Sequence, residues 1–214
     1  MNPLIQRKMN KDIYTKPFFK NNPITVLVLG ICSSLAVTVQ LKGALVMALS
    51  VTIVTACSSL LLSLLRNTIP TRVRIIVQLV VVAMFVILID QLLQAFAYDT
   101  SKMLSVYIGL IITNCIIMGR IEAFALGNKP WPSFVDGACN GLGYGMILII
   151  VAFFRELLGS GTLFGFQVIP ASWYIENGGW YMNNGLMILP PMALILLGCV
   201  VWIQRSIQKD LQEK

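Results

Sequence analysis

Two cysteines stand inside apolar runs with almost nothing else polar beside them. Cys32 lies in VLGICSSLAV (residues 28–37) and Cys115 in LIITNCIIMG (residues 110–119). Thiolates are soft ligands that select iron–sulfur clusters, zinc or cuprous copper, and a 2Fe-2S cluster takes four of them. Two sulfurs are half of such a site, so the other pair must come from a second copy or a related chain. Two further readings stand beside the metal. A free Cys serves widely as a small apolar residue where helices touch, which suits Cys57, Cys139 and Cys199. A Cys32–Cys115 disulfide is the remaining option, although it would lie deep in a bilayer.

The elements that hold these thiols must be membrane helices. Of 214 residues, 57% are hydrophobic and only 12% charged, and the mean hydropathy is +0.81. A soluble domain carries about a quarter charged residues, so lipid must be the main solvent of this chain. There is no histidine, which removes the commonest general base and imidazole ligand. The cysteines sit in or beside apolar segments, unlike a secreted disulfide framework.

A spanning helix needs roughly 20 apolar residues. Six segments qualify: 23–41, 43–65, 74–98, 102–119, 134–158 and 184–204. The expected organisation is a polar tail over 1–22, one membrane domain over 23–204 with halves at about 23–98 and 102–204, and a tail over 205–214. The basic first 22 residues lack a signal-peptide apolar core, so the first span is expected to be an uncleaved anchor.

Lys and Arg divide unevenly between the two sides. One side takes Arg7, Lys8, Lys11, Lys16 and Lys20, then Arg66, Arg72 and Arg74, then Arg120 and Lys129, and finally Arg205, Lys209 and Lys214. The other takes Lys42, Lys102 and Arg155. This positive-inside pattern implies that both termini are cytoplasmic. It also accounts for the net charge of +7 without nucleic acid.

The halves resemble one another. Cys32 and Cys115 fall in the first and fourth spans, and Cys57 and Cys139 follow them in the second and fifth. Three spans per half is odd, so the halves must form an inverted repeat. The first span is interrupted by Gly30, Ser33, Ser34, Thr38 and Gln40, and the fourth by Gly109, Thr113 and Asn114. Interrupted segments at matching places point to a midplane site, because broken backbone at that depth must be buried in protein or line a cavity. The expected fold is therefore an all-α integral membrane protein of two inverted three-helix repeats, with the first and fourth helices broken. Cys32 and Cys115 are expected to approach each other near the pseudo-axis.

Other polar residues carry weaker signals. Asp90 lies in MFVILIDQLL; an acid at a helix centre costs about 2.5–3.5 kcal/mol on insertion scales. Asp90 is thus a candidate sodium contact, since hard cations prefer oxygen, or else an acid that snorkels or pairs near the interface. Asp136 opens the expected fifth span, either stabilising its N-terminus or drawing sodium into the membrane. Arg155 and Glu156 are expected to pair with each other, and Arg120 and Glu122 to hydrogen-bond the backbone freed by the broken fourth helix. Gly141, Gly143 and Gly145 in NGLGYG follow no strand, so they indicate close packing and not a dinucleotide site. Phe164, Phe166, Trp173, Tyr174, Trp180 and Tyr181 suit an interfacial aromatic belt or the docking of a periplasmic partner domain.

Long stretches also resemble a known family. NNPITVLVLGICSSLAVT, LLRNTIPTRVRIIVQ, LIITNCIIMGRIEAFA, DGACNGLGYG and FFRELLGSGTLFG are similar to the D-subunit family of the sodium-translocating NADH:quinone reductase, from about Asn21 to the last span. The E subunit of the Rnf electron-transport complex is a homologue; LLRNTIPTRVRIIVQ and GGWYMNNGLM resemble the quinone-reductase branch more closely. The resemblance implies a bacterial inner-membrane protein in a six-subunit complex. It further implies that a homologous E-type subunit of opposite orientation packs against it, and that each supplies two half-helix cysteines to one 2Fe-2S centre. The matching residues here are Cys32 and Cys115. NAD, flavins and ubiquinone are implied on other subunits, with sodium pumped outward. Two rival classes remain: an inverted-repeat secondary cation transporter, which would favour oxygen ligands, and a structural anchor, in which Ser would replace the cysteines.

Overall fold

The computed structural model describes residues 22–96, 107–163, 166–167 and 185–207. These are helices and turns, apart from one antiparallel pairing of Thr162–Leu163 (β1) with Phe166–Gln167 (β2). Among the described residues, four helices are long and apolar enough to cross a membrane. They are α2 (Leu41–Leu65), α3 (Arg74–Phe96), α6 (Pro130–Ser160) and α8 (Pro190–Ile207).

The other two expected spans are broken, as their composition implies. In the first, residues 22–30 form turns held by bonds such as Val26 N–H to Asn22 O (3.0 Å) and Leu29 N–H to Pro23 O (2.9 Å). Only then does α1 run, from Ile31 to Val37. Its hydroxyls turn back on its own backbone: Ser33 donates to Gly30 O (3.0 Å), Ser34 to Ile31 O (2.7 Å) and Thr38 to Ser34 O (2.6 Å). Such bonds compete with regular helix and satisfy the hydroxyls where water is absent. The fourth segment contains α4 (Ile108–Ile112), then a break at Thr113 and Asn114, then α5 (Cys115–Arg120). A single π-helical turn, Ile121–Ala125, follows.

Each half thus reads as a broken segment, a long central helix and a long peripheral helix: α1–α2–α3, then α4/α5–α6–α8. The central pair is α2 and α6. Of the apolar windows of these two helices, 56% and 61% are buried, against 17% and 11% for α3 and α8. Close approach of α2 and α6 depends on Gly137, Gly141 and Gly145, one turn apart. A Cβ on Gly141 would meet Thr52 Cα at 2.7 Å, and one on Gly145 would meet Ala48 Cβ at 2.8 Å. The expected close packing is present, but its period is four and its third member is Gly137. Gly143 is buried elsewhere, its carbonyl accepting from Asn22 Nδ2 at 3.1 Å.

Helix ends differ in places from the sequence expectation. α6 begins at Pro130, four residues early, because proline suits the first helical turn; it stops at Gly161, which is left-handed (φ 66°). The last span is divided: α7 (Gly185–Ile188) precedes α8, with Pro190 opening the latter. Of the aromatic residues expected to form a belt, Phe164, Trp173, Tyr174, Trp180 and Tyr181 lie outside the described residues; Phe166 lies in β2.

Candidate metal centre

Cys32 is the second residue of α1 and Cys115 the first of α5. Both half-helices therefore begin at or beside a thiol. The residues flanking the two thiols are bonded to each other. Asn114 Nδ2 donates to Ser33 Oγ at 3.2 Å, and Ser33 Oγ lies 2.7 Å from the hydroxyl of Tyr144 on α6. Asn114 Oδ1 meanwhile accepts from Ile116 N–H (3.3 Å), capping α5. Ser33, Asn114 and Tyr144 are all buried, Tyr144 completely. A satisfied polar network in a low-dielectric interior fixes geometry firmly, so the starts of the two half-helices are tied together from within.

The entry to α1 is equally constrained. Gly30 is left-handed (φ 82°), and a Cβ there would stand 2.9 Å from Tyr144 Cε2 and 3.4 Å from Asn114 Oδ1. Val28 also has positive φ (57°), unusual for a β-branched residue. Leu29 packs over Gly119 of α5, close enough that a Cβ on Gly119 would meet its Cδ1 at 2.9 Å. Asn22 anchors the turn segment by donating to Gly143 O and accepting from Ile24 N–H, each at 3.1 Å.

While the flanking residues are buried, both thiols are exposed on the chain surface. Among the described residues, no group of three or more Cys, His, Asp or Glu side chains could hold a metal. Two outward thiols fit half of a soft-metal or iron–sulfur site completed by another chain. The remaining cysteines are dispersed: Cys57 is half-buried in α2, Cys139 is buried in α6 and Cys199 is exposed on α8.

The acidic candidates have different surroundings. Asp90 lines a cavity of about 10 Å³ with Ser50, Val54 and Ile111, roughly the room for one water molecule. Its Oδ2 accepts from Gln94 Nε2 at 3.0 Å, whereas its buried Oδ1 has no partner among the described residues. Asp136 sits nearly two turns inside α6, not at its start, and Arg120 holds it through Nη2 at 2.6 Å and Nε at 3.1 Å. Asn140 adds a bond to Oδ1 at 3.0 Å.

The other expected pairings are corrected. Arg120 and Glu122 do not brace the broken backbone; Asn114 does. Glu122 instead accepts from Arg74 (2.6 Å) and Gln78 (2.8 Å). These bonds, Gln78's first, hold its carboxyl below the usual carboxylate range. Arg155 and Glu156 do not pair either. Glu156 accepts from Leu41 N–H at 2.6 Å, at the start of α2, while Arg155 binds carbonyls of α1 and α7. Adjacent helical residues point in different directions, which explains the separation. Sequence reasoning missed Tyr144, whose partners lie 111 positions away in the case of Ser33.

A family model described as "Rnf-Nqr subunit, membrane protein" matches residues 10–201. This chain belongs to the Rnf-Nqr family. Among Rnf-Nqr members, the D subunit of the Na(+)-translocating NADH-quinone reductase of Haemophilus influenzae (strain PittGG) is 57% identical over 204 residues, covering 95% of this chain and 97% of the relative. The protein of the same name from Photobacterium profundum is 58% identical over 201 residues, or 94% of each chain. That from Shewanella putrefaciens is 55% identical over 200 residues, again 94% of each. The Rnf-Nqr match includes both half-helices, the central pair and most of α8.

Proposed function

We propose that this chain is the D-type membrane subunit of a sodium-translocating NADH–quinone reductase, and that it supplies two of the four thiolates of an intramembrane 2Fe-2S centre. The observation that carries the proposal is the Asn114–Ser33–Tyr144 network: it joins the starts of two half-helices while Cys32 and Cys115 remain exposed. A homologous E-type subunit of opposite orientation supplies the other pair. The full names of the relatives support the assignment to the reductase and not to its Rnf counterpart.

Cys32 and Cys115 would hold the cluster, which would supply one-electron transfer when bound; Ser33, Asn114 and Tyr144 fix the starts of the two half-helices. NAD, flavins and quinone belong to other subunits of the six-subunit complex, so this chain contributes a step of electron transfer across the bacterial inner membrane. Cytoplasmic termini are favoured by the basic residues, and more strongly since Arg155 is buried in protein. Removing it from the sparsely basic side leaves Lys42 and Lys102 there.

Asp90 and Asp136 are the candidate sodium contacts. Asp90 is the better placed of the two, because one of its oxygens lacks a partner among the described residues. For Asp136, sodium would have to displace Arg120. Iron and acid-labile sulfide measured on the purified complex test the cluster assignment. Cys32→Ala and Cys115→Ala should each remove the intramembrane share of both elements. Full retention in the two variants would exclude the assignment.

A further inference from the structure

Arg155 is one of the largest fully buried side chains, 1% exposed. Its Nη1 donates to Leu35 O at 3.2 Å and also to the hydroxyl of Thr38. Its Nε donates to Met187 O at 3.2 Å, and its Nη2 to Ile188 O at 2.7 Å. Among the described residues no carboxylate forms an ion pair with it. The nearest acid in sequence, Glu156, is engaged at Leu41 N–H. A cation buried in a membrane protein is expensive, and the default expectation for such a residue is function.

The groups it binds indicate that function. Leu35 and the C-cap Thr38 lie at the carbonyl end of α1, and Cys32 is the second residue of the same short helix. Leu35 is three positions after Cys32, about 4.5 Å of helical rise. The guanidinium thus clamps the end of the half-helix opposite its thiol, tying it to α6 and α7. The matching end of α5 differs: Arg120 there is neutralised by the Asp136 carboxylate, 2.6 Å away. Two half-helices alike at their thiols are unlike in the charge at their far ends. Arg155 bonds to Leu35, three residues after Cys32, whereas Glu156 bonds to Leu41, nine residues after it.

We propose that Arg155 is a positioning residue for the metal centre, which locks the reach of Cys32 and raises the reduction potential of the group that Cys32 holds. The inference rests on the proposed cysteine-held centre. Groups outside the ligand shell tune a metal through orientation, hydrogen bonding and charge. A nearby positive charge favours the reduced form, and a fork bonded to two helices prevents α1 from sliding along its axis.

The test uses the intact purified complex and reads iron content, the electron paramagnetic resonance spectrum and the midpoint potential of the intramembrane centre. Arg155→Gln should lower the midpoint potential and broaden the spectrum. Arg155→Lys should restore the potential towards wild type while leaving the spectrum broadened, because lysine keeps the charge without the fork. If neither variant assembles, Thr38→Val removes one of the bonds and keeps the cation; it should assemble and alter the spectrum. Wild-type spectrum and potential in an assembled Arg155→Gln complex would overturn the inference. So would a wild-type spectrum in Thr38→Val when both Arg155 variants fail to assemble. A centre that needs both cysteines yet ignores Arg155 would refute this inference alone, whereas iron independent of both cysteines would remove the centre itself.

Discussion

Replacing Gly30 with Ala adds one methyl group where the two half-helices meet. Gly30 has φ 82°, a region that costs an L-residue roughly 1–2 kcal/mol. The new Cβ would stand 2.9 Å from Tyr144 Cε2, about 1 Å inside ordinary carbon contact. Tyr144 is fully buried and its hydroxyl is bonded to Ser33, so the ring cannot retreat without losing that bond. Overpacking of this kind costs about 1–3 kcal/mol, giving roughly 2–5 kcal/mol together. The assay is the temperature at which the detergent-solubilised complex loses monodispersity, with iron content measured on the same samples. Gly30→Ala should lower both. Wild-type stability and iron in Gly30→Ala would refute the reasoning that this crossing sets the geometry of the thiols.

Gly141→Ala should destabilise assembly by about 1–3 kcal/mol, since its Cβ would meet backbone of α2 at 2.7 Å; an unchanged melting temperature would contradict the tight central pair. Arg120→Gln leaves the buried Asp136 without its guanidinium and should cost about 3–5 kcal/mol. Arg120→Gln with Asp136→Asn should recover much of that loss, as a double-mutant cycle of melting temperatures can measure. Asp90→Asn should raise the sodium concentration for half-maximal turnover roughly tenfold, equivalent to about 1.4 kcal/mol; an unchanged sodium dependence would remove Asp90 from the path. Glu122 has a lowered carboxyl pKa, so its contribution to stability is present above the unfolded-state carboxylate range and lost as pH falls through the lowered value. Glu122→Gln should accordingly flatten the acid side of the stability profile, and an unaltered profile would show that Arg74 and Gln78 contribute nothing there.

The half-helices were legible because their interruptions are local. Gly30 and the hydroxyls of Ser33, Ser34 and Thr38 weaken α1, and Asn114 caps α5 from one residue away. The correspondence of Cys32 with Cys115 likewise needed only spacing. What joins them was not legible. Tyr144 in NGLGYG reads as an aromatic residue on a glycine-rich helix, and nothing nearby announces that its hydroxyl meets Ser33. The same holds for the link from Arg74 to Glu122, 48 positions apart. Gly137, Gly141 and Gly145 repeat every fourth residue and so share one helix face, whereas the i, i+2 spacing of Gly143 turns it away from that face. For Arg155 and Glu156, adjacency in sequence suggested a pair, while helical geometry sent one to α1 and the other to α2.

An experimental density map of the assembled complex at side-chain detail would show directly what Cys32 and Cys115 hold. The sulfurs of Cys32 and Cys115 should both bind one intramembrane iron centre, alongside two thiolates of the homologous subunit, with Asn114, Ser33 and Tyr144 bonded behind them. Thiols directed at acyl chains, or an intramembrane iron held by Cys57, Cys139 or Cys199, would contradict it.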